Sequence, residues 1–283
     1  MLGVSFLQLE LTSRCPLACA HCYAGSGPEG THGSMTFGDW ENVIGQAAGM
    51  GVSMVQFTGG EPTAHPAFPA LVRCAVNAGL KTVVFTNLVT VRDAWWELFT
   101  QPDVSLATSY YSDLADEHEA VTRRRGSHAK TRANIAEAVR RGVPVRAGII
   151  EVLPGQRVAR AEAELRAFGV TNVGMDRTRR IGRAADVDTT GLSELCGHCG
   201  HGRAAVLPDG GVSPCVLARW MCAGNVRRQT LDQILGTTRW ERLLSSIPSP
   251  TAICSPDKTG CKPKSDGPDC QPAEKPACRP QFR

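Results

Sequence analysis

The sequence predicts an α/β fold in which β-strands alternate with α-helices around a parallel sheet. Six apolar runs of strand length recur between residues 4 and 175, and segments of helical length separate them. Glycines close most of the helical segments. Such an alternation builds right-handed βαβ units and therefore a parallel sheet. An open doubly wound sheet and a barrel, full or partial, both fit this pattern.

Each element has its own signal. The strands are expected where β-branched and apolar residues cluster, at 4–10, 52–58, 80–86, 104–109, 143–150 and 170–175. In the first helix, over 36–50, Thr36 and Asp39 mark the start. Its buried face combines Phe37, Trp40, Val43, Ile44, Ala47 and Ala48. Further helices are expected at 66–78, 91–100, 127–141 and 158–168.

Composition excludes several classes of protein. A chain of 283 residues is long enough for two domains, or for one large domain with an appendage. Its net charge of +4 is too small to indicate a nucleic-acid or membrane partner. No run reaches the ~18 apolar residues of a membrane span, and the N-terminus lacks the pattern of a secretory signal. We therefore expect a cytoplasmic protein.

Cysteine is unusually frequent, with twelve residues. In a reducing cytosol, clustered cysteines more often bind metal or perform redox chemistry than form disulfides. One group, Cys15, Cys19 and Cys22, follows the first strand. Eight others come after residue 195, and they are Cys196, Cys199, Cys215, Cys222, Cys254, Cys261, Cys270 and Cys278.

The first group has the spacing Cys-x3-Cys-x2-Cys in a loop after a strand. Three thiolates this close together can ligate three corners of a cuboidal iron–sulfur cluster, leaving one iron open. A zinc site completed by His21 or His32 is the alternative. Functional loops follow the carboxyl ends of parallel strands, which is where this group lies.

With this loop, the chain resembles the radical S-adenosylmethionine (AdoMet), or radical SAM, enzymes. The resemblance covers about residues 1–185 and implies a partial (β/α)6 TIM-like barrel. It also implies that Cys15, Cys19 and Cys22 hold a [4Fe–4S] cluster whose open iron chelates AdoMet. Cleavage of AdoMet then yields a 5′-deoxyadenosyl radical, which abstracts hydrogen from the substrate.

Residues after the later strands extend the resemblance. Gly59-Gly60-Glu61-Pro62 is similar to the family's Gly-Gly-Glu-Pro, whose backbone and carboxylate meet the AdoMet amino group. Asn87 and Ser109 resemble residues that contact the AdoMet ribose or methionine end. In RTRRIGR, at 177–183, the resemblance points to an arginine for the AdoMet carboxylate. For these last positions, strand-end capping and a solvated basic loop are the structural alternatives. The arginine candidates are Arg177 and Arg179.

The second cysteine group resembles a SPASM extension, which binds auxiliary [4Fe–4S] clusters. Cys199, Gly210 and Cys215 have its opening spacing, and Pro-Asp-Gly-Gly at 208–211 predicts a hairpin turn. The resemblance implies that Cys196, Cys199 and Cys215 belong together, and that Cys222, Cys254, Cys261, Cys270 and Cys278 supply the remaining ligands. The late spacing departs from the family pattern, because the last four cysteines lie in Cys-x-Pro units. One auxiliary cluster and two therefore both stay open.

The predicted organisation is a barrel at 1–185 and a cysteine-rich extension at 186–283. Residues 248–283 hold eight of the eighteen prolines and little apolar periodicity. We expect residues 196–283 to lack a hydrophobic core signal, so that clusters order them.

The resemblance implies oxidative modification, such as a crosslink, of a side chain in a ribosomally made peptide. A formylglycine-type sulfatase maturase and a small-molecule dehydrogenase are the alternatives within the family, and a zinc-ribbon binding protein is the alternative outside it. A flavodoxin or ferredoxin is the expected electron donor. Because we expect no N-terminal module for a leader peptide, recognition would use the barrel mouth, the tail or a leader-peptide-binding partner.

Overall fold

A computed structural model describes residues 3–185 and 191–248 of the chain. All six predicted strands are present, and each of their ends lies within two residues of its expected bound. They are β1 (Phe6–Glu10), β2 (Met54–Thr58), β3 (Lys81–Phe85), β4 (Val104–Tyr110), β5 (Val145–Glu151) and β6 (Asn172–Arg177).

Six helices connect these strands, and five of them were predicted. They are α1 (Phe37–Gly49), α2 (Phe68–Asn77), α3 (Asp93–Phe99), α4 (Ala115–Thr122), α5 (Ser127–Arg140) and α6 (Val158–Ala167). A capping box begins α1, in which Thr36 and Asp39 bond each other's backbone N–H groups, as their spacing predicts. The unpredicted helix is α4, whose buried residues are His118, Val121 and Thr122. Two of these three are polar, so apolar periodicity did not reveal it.

The order of the strands decides between the two predicted topologies. The six strands are parallel and lie in the order β6-β5-β4-β3-β2-β1. A doubly wound sheet reverses its strand order at a switch point, whereas a barrel keeps consecutive strands adjacent. The consecutive order confirms the partial barrel. The carboxyl ends of all six strands therefore meet at one rim.

The C-terminal segment continues this sheet. Strand β7 (Arg203–Val206) is parallel to β1, with Phe6 opposite Arg203. Strands β8 (Gly211–Ser213) and β9 (Gly224–Asn225) follow antiparallel. The predicted hairpin is confirmed, since the Leu207 N–H donates to the Gly211 carbonyl across a 2.8 Å bond.

The expectation that residues 196–283 lack a hydrophobic core is wrong for the described part of that segment. Helices α7 (Leu231–Leu235) and α8 (Thr238–Ser246) follow β9. The buried side chains that join the main core are Val206, Val212, Ala223, Val226, Leu231, Ile234, Leu235 and Trp240. These apolar residues lie in very short elements or between them, so they form no periodic pattern, yet their burial contributes to stabilising the segment.

The main core lies between the sheet and the helices that cover it. Phe68 of α2 makes edge-to-face contacts with Phe57, Trp95 and Phe99, with ring centroids 5.8–6.5 Å apart. Such packing fixes α2 and α3 on β2, and thereby fixes the loops at the rim. None of the helices in residues 3–185 and 191–248 combines the length and the apolar character needed to cross a bilayer.

Candidate functional site

The loop that carries Cys15, Cys19 and Cys22 leaves β1 at the rim, and its backbone N–H groups donate to carbonyls at its own far end and in α4. The Cys15 N–H donates to the Gly27 carbonyl at 2.9 Å. The N–H groups of Ala18 and Ala20 donate to the carbonyls of Thr122 and Val121, at 3.2 and 2.9 Å. Helix α4, which the sequence did not reveal, therefore supports the cysteine loop.

Gly59 and Gly60 lie directly on the backbone that leads into this loop. Gly59 has φ +146°, and a Cβ atom there would lie 2.5 Å from the Thr12 carbonyl oxygen. A Cβ atom on Gly60 would lie 2.5 Å from the carbonyl oxygen of Arg14. The glycines were expected to permit close approach to a ligand. In the structure they permit close approach to the chain itself, while their backbone also lines a cavity.

Glu61 joins the end of β2 to the end of β3. One carboxylate oxygen accepts from the Asn87 N–H at 2.8 Å, and the other accepts from the Thr63 hydroxyl at 2.8 Å and the Thr63 N–H at 3.2 Å. Burial raises the pKa of Glu61, and these hydrogen bonds oppose that rise. Its carboxylate, expected to meet an ammonium group, is engaged within the chain. Pro62 is buried and begins a short 3-10 turn.

Asn87 lies beside Cys15. Its side-chain amide nitrogen is 3.7 Å from the Cys15 Sγ atom, and its amide oxygen accepts from the Val89 N–H at 2.8 Å. This bond to the Val89 N–H lies just after the end of β3 and fits strand-end capping, the structural alternative for this residue. The same geometry aims an N–H donor at a sulfur atom.

A cavity of about 960 Å³, counting its open mouth, brings most of the predicted site together. Its wall also contains residues that the sequence analysis did not single out, among them Tyr23, Tyr111, His118 and Leu217. Glu61 and Pro62 do not line it. The predicted residues in its wall are Cys15, Cys19, Cys22, Gly59, Gly60, Asn87, Ser109, Arg177 and Arg179.

Both candidate arginines already have acidic partners. Arg177 donates to Glu194 at 2.8 Å, and Arg179 donates to the buried carboxylate of Asp176 at 2.9 Å. Arg179 also donates to the Glu194 carbonyl at 2.7 Å. Neither residue belongs to a freely solvated loop. Each would reach a ligand carboxylate only by sharing or exchanging its present partner.

The environment of the cysteines fits a cationic cluster. Burial raises the pKa of the Cys15 thiol far above its ordinary value and that of Cys19 to about 12. Thiolates at these positions therefore require a compensating positive charge, which bound iron supplies. His32, one of the two histidines considered for a zinc site, bonds the Thr12 hydroxyl at 3.0 Å. Among the described residues, no three His, Cys, Asp or Glu side chains form a site for a single metal ion.

The second triad consists of Cys196, Cys199 and Cys215, which come together within the C-terminal segment. The sulfur atoms of Cys199 and Cys215 are 2.7 Å apart, and the pKa of Cys199 is raised by its contacts with Cys196 and Cys215 and by burial. Leu195, Leu217, Ala218, Met221 and Ile247 surround them with apolar surface. This closed apolar setting suits a cluster whose irons are all ligated by protein.

Among the other cysteines after residue 195, Cys222 is the one that lies within the described residues. The Cys222 thiol donates to the Gly224 carbonyl at 3.2 Å. Cys254, Cys261, Cys270 and Cys278 lie outside the described residues. The grouping of these five cysteines into ligand sets stays a prediction.

Two protein families match the chain. Residues 9–166, more than half of the chain, match the Radical SAM superfamily. Residues 196–262 match SPASM, an iron–sulfur cluster-binding domain. The two matches separate the first cysteine triad from the second.

Among curated proteins, a PqqA peptide cyclase from Ruegeria pomeroyi is 31% identical over 140 residues. The alignment covers 48% of this chain and 37% of that protein. The chain thus spans little more than a third of this relative's length.

Solved structures share the fold at low sequence identity. SuiB of Streptococcus suis, bound to its precursor peptide SuiA, matches with a TM-score of 0.72 and 13% identity, over 87% of this chain and 67% of that one. The anSMEcpe structure with bound AdoMet and the Cp18Cys peptide matches with a TM-score of 0.69 and 13% identity, over 85% and 82%.

Proposed function

Because the chain belongs to the radical SAM superfamily, we propose that it oxidatively modifies a side chain in a ribosomally synthesised peptide. In this proposal Cys15, Cys19 and Cys22 hold the [4Fe–4S] cluster, and AdoMet occupies the adjoining cavity. When bound there, the two cofactors supply a 5′-deoxyadenosyl radical that abstracts a hydrogen atom from the substrate. The barrel at 1–185 carries this site, and residues 186–283 carry the auxiliary one.

The observation that carries the proposal is the shared wall between the two cysteine triads. Leu217 lines the cavity and also belongs to the apolar cluster that contains Cys199 and Cys215. Tyr23 lines the cavity and packs against the same cluster of residues. A substrate in the cavity is therefore one layer of side chains from the second triad.

This adjacency favours a net oxidation. After hydrogen abstraction, the substrate side chain must lose one further electron and one proton to complete a two-hydrogen oxidation. Cys196, Cys199 and Cys215 would hold an iron–sulfur cluster that could supply an acceptor for that electron, and Leu217 and Tyr23 lie between this triad and the cavity. A redox-neutral epimerisation needs no such acceptor.

The residues of the cavity then have distinct roles. The backbone of Gly59 and Gly60 would contact AdoMet, and Glu61 holds their turn through its bonds to Thr63 and Asn87. Asn87 donates a hydrogen bond toward the Cys15 sulfur, and Ser109, which lines the cavity at the end of β4, would contact AdoMet. Arg177 and Arg179 are the candidates for its carboxylate.

A peptide substrate is supported by the proteins that the chain resembles. A PqqA peptide cyclase, SuiB with its precursor peptide and anSMEcpe with a peptide are all among them. A sulfatase-type maturase and a small-molecule dehydrogenase remain second candidates, the latter because BtrN in complex with AdoMet and 2-DOIA also matches, with a TM-score of 0.52. A leader-peptide-binding partner and a cytoplasmic location belong to the same proposal.

Electron delivery to the first triad has a candidate surface. Cys15 and Asn87 also line a second cavity, whose wall includes the exposed residues Arg14 and Arg92. Neither arginine forms an ion pair within the described part of the chain. A flavodoxin or ferredoxin with an acidic surface would be attracted here. Exchanging both arginines for Glu should slow reduction of the protein by flavodoxin about tenfold or more. Reduction by dithionite, the control, should be unchanged. If flavodoxin reduces the variant as fast as the wild type, this surface is excluded.

The number of auxiliary clusters is tested by iron content. Two auxiliary clusters predict about twelve irons per chain and one predicts about eight. Removing Cys15, Cys19 and Cys22 should lower either value by about four.

Mass spectrometry tests the reaction itself. Short peptides encoded beside the gene are incubated anaerobically with the reduced enzyme and AdoMet. Loss of two hydrogens from one peptide supports a crosslink or a carbonyl. A peptide mass that is unchanged after turnover in H₂O, with one deuterium at an α-carbon after turnover in D₂O, would show epimerisation and exclude the oxidative proposal. A variant lacking Cys196, Cys199 and Cys215 is the matched control, and it should cleave AdoMet without completing the oxidation.

A further inference from the structure

The segment Ile181–Arg183, which follows β6, is hydrogen-bonded to the backbone of the cysteine loop. The Arg183 guanidinium donates to three carbonyls of that loop, those of Cys19, Gly25 (3.0 Å) and Ser26 (2.6 Å). The Arg183 backbone N–H donates to a fourth, that of Cys22, at 2.9 Å. One residue thus bonds four carbonyls in a stretch without regular secondary structure.

Gly182 allows this segment to lie against the cysteine loop. Its φ is +63°, and a Cβ atom there would lie 2.1 Å from the Tyr23 carbonyl oxygen. Only glycine allows the segment to lie so close to the loop backbone. The contact between the segment and the loop therefore depends on the backbone at Gly182 as well as on the long Arg183 side chain.

The same segment reaches the second triad. Ile181 is buried and packs in the apolar cluster that contains Cys199 and Cys215. Arg183 and Ile181 are two residues apart, so a single short segment bonds the first cysteine loop and packs in the apolar cluster of the second triad.

We propose that Arg183 is a positioning residue, which holds the Cys19–Ser26 part of the loop in the conformation that binds the cluster and places a fixed positive charge beside it. The proposal rests on the proposed function, in which Cys15, Cys19 and Cys22 ligate that cluster. Two effects follow. The guanidinium fork orders the loop before iron binds, and its charge favours the reduced, more negative form of the cluster.

Two variants separate the fork from the charge. Arg183→Gln removes both, whereas Arg183→Lys keeps the charge and loses the planar fork. Arg166→Gln is the matched control, because Arg166 makes an exposed ion pair with Glu162 on α6.

The first readout is amide hydrogen exchange of residues 15–27 in the iron-free protein. Exchange should be about tenfold faster or more in Arg183→Gln, since hydrogen bonds from a charged group are lost. It should be intermediate in Arg183→Lys and unchanged in Arg166→Gln. Wild-type exchange in Arg183→Gln would overturn the ordering role, and this readout does not depend on any cluster.

The second readout is the midpoint potential of the EPR signal that responds to AdoMet. It should become more negative in Arg183→Gln and stay near wild type in Arg183→Lys, which a merely structural role would not produce. Equal potentials in all variants would overturn the electrostatic role. Failure of the proposed function has a different signature. A variant without Cys15, Cys19 and Cys22 would then contain as much iron as the wild type.

Discussion

Replacing Gly60 with Ala tests how tightly the glycine turn is packed on the cysteine loop. The new methyl group would lie 2.5 Å from the Arg14 carbonyl oxygen and 2.8 Å from that of Ser13. Ordinary contacts begin at 3.4 Å. Both neighbours are backbone atoms, so no side-chain rotation can relieve the clash. The turn must move away from the loop by most of an ångström.

The cost follows from what this movement breaks. The Gly60 N–H donates to Thr12 at 2.6 Å, and the Glu61 N–H donates to Arg14 at 2.9 Å. Losing two such bonds costs about 1 kcal/mol each, and overpacking adds about 1–3 kcal/mol. Reduced freedom of the unfolded chain returns about 0.4–1 kcal/mol. We expect a net destabilisation of about 3 kcal/mol, or a fall in Tm of roughly 6–10 °C.

Thermal unfolding of the iron-free protein, followed by circular dichroism, measures this effect. Gly45→Ala is the control, because Gly45 lies inside α1 with no atom within 4 Å of a new methyl group. That substitution should stabilise the protein by about 0.5–1 kcal/mol. If Gly60→Ala unfolds at the temperature of Gly45→Ala, the close packing of turn and loop is refuted.

Three further substitutions probe buried polar groups. Glu61→Gln should cost about 1–3 kcal/mol in urea unfolding, because one carboxylate oxygen that accepts hydrogen bonds becomes an NH₂ donor. Burial lowers the pKa of His118 to about 3. The stability that the neutral imidazole contributes is therefore fully present above pH 6.5, the pKa in the unfolded chain. It decreases by about 1.4 kcal/mol per pH unit as the pH falls toward 3. His118→Leu should flatten the decline between pH 6.5 and 5. Arg219→Met should cost about 3–5 kcal/mol at pH 7, because it leaves the buried Glu10 carboxylate, 2.9 Å from Arg219, without its partner.

Each of these expectations has a clear contrary result. Glu61→Gln with wild-type stability would mean that the carboxylate is not the acceptor between β2 and β3. An unchanged pH profile in His118→Leu would show that His118 is solvated. For the ion pair, Glu10→Gln added to Arg219→Met should recover most of the loss, and no recovery would assign the loss to packing.

The sequence could predict the barrel because each of its strands is locally apolar and each is followed by a helical segment. It could also place Cys15, Gly59, Asn87 and Ser109 at one rim, since parallel strands end together. It could not predict α4, whose buried face includes His118, because a buried polar residue disrupts apolar periodicity.

Contacts between segments that are distant in the chain could not be predicted, because no local pattern in the sequence encodes them. The glycines of the turn were assigned to a ligand, but the backbone they approach belongs to Thr12 and Arg14. Within 177–183, sequence reasoning selected Arg177 and Arg179, while Arg183 makes the contacts with the cysteine loop. Nothing local distinguishes these arginines, because what separates them is the position of a loop more than 150 residues earlier.

The central claim is that Cys15, Cys19 and Cys22 form the radical-generating site, and the formation of 5′-deoxyadenosine tests it most directly. Reduced wild-type protein supplied with AdoMet under anaerobic conditions should release 5′-deoxyadenosine. Cys74→Ala, a cysteine on α2 apart from both triads, should do so at the same rate. The triple variant with Ala at positions 15, 19 and 22 should release none. Equal release from the triple variant and the wild type would contradict the account.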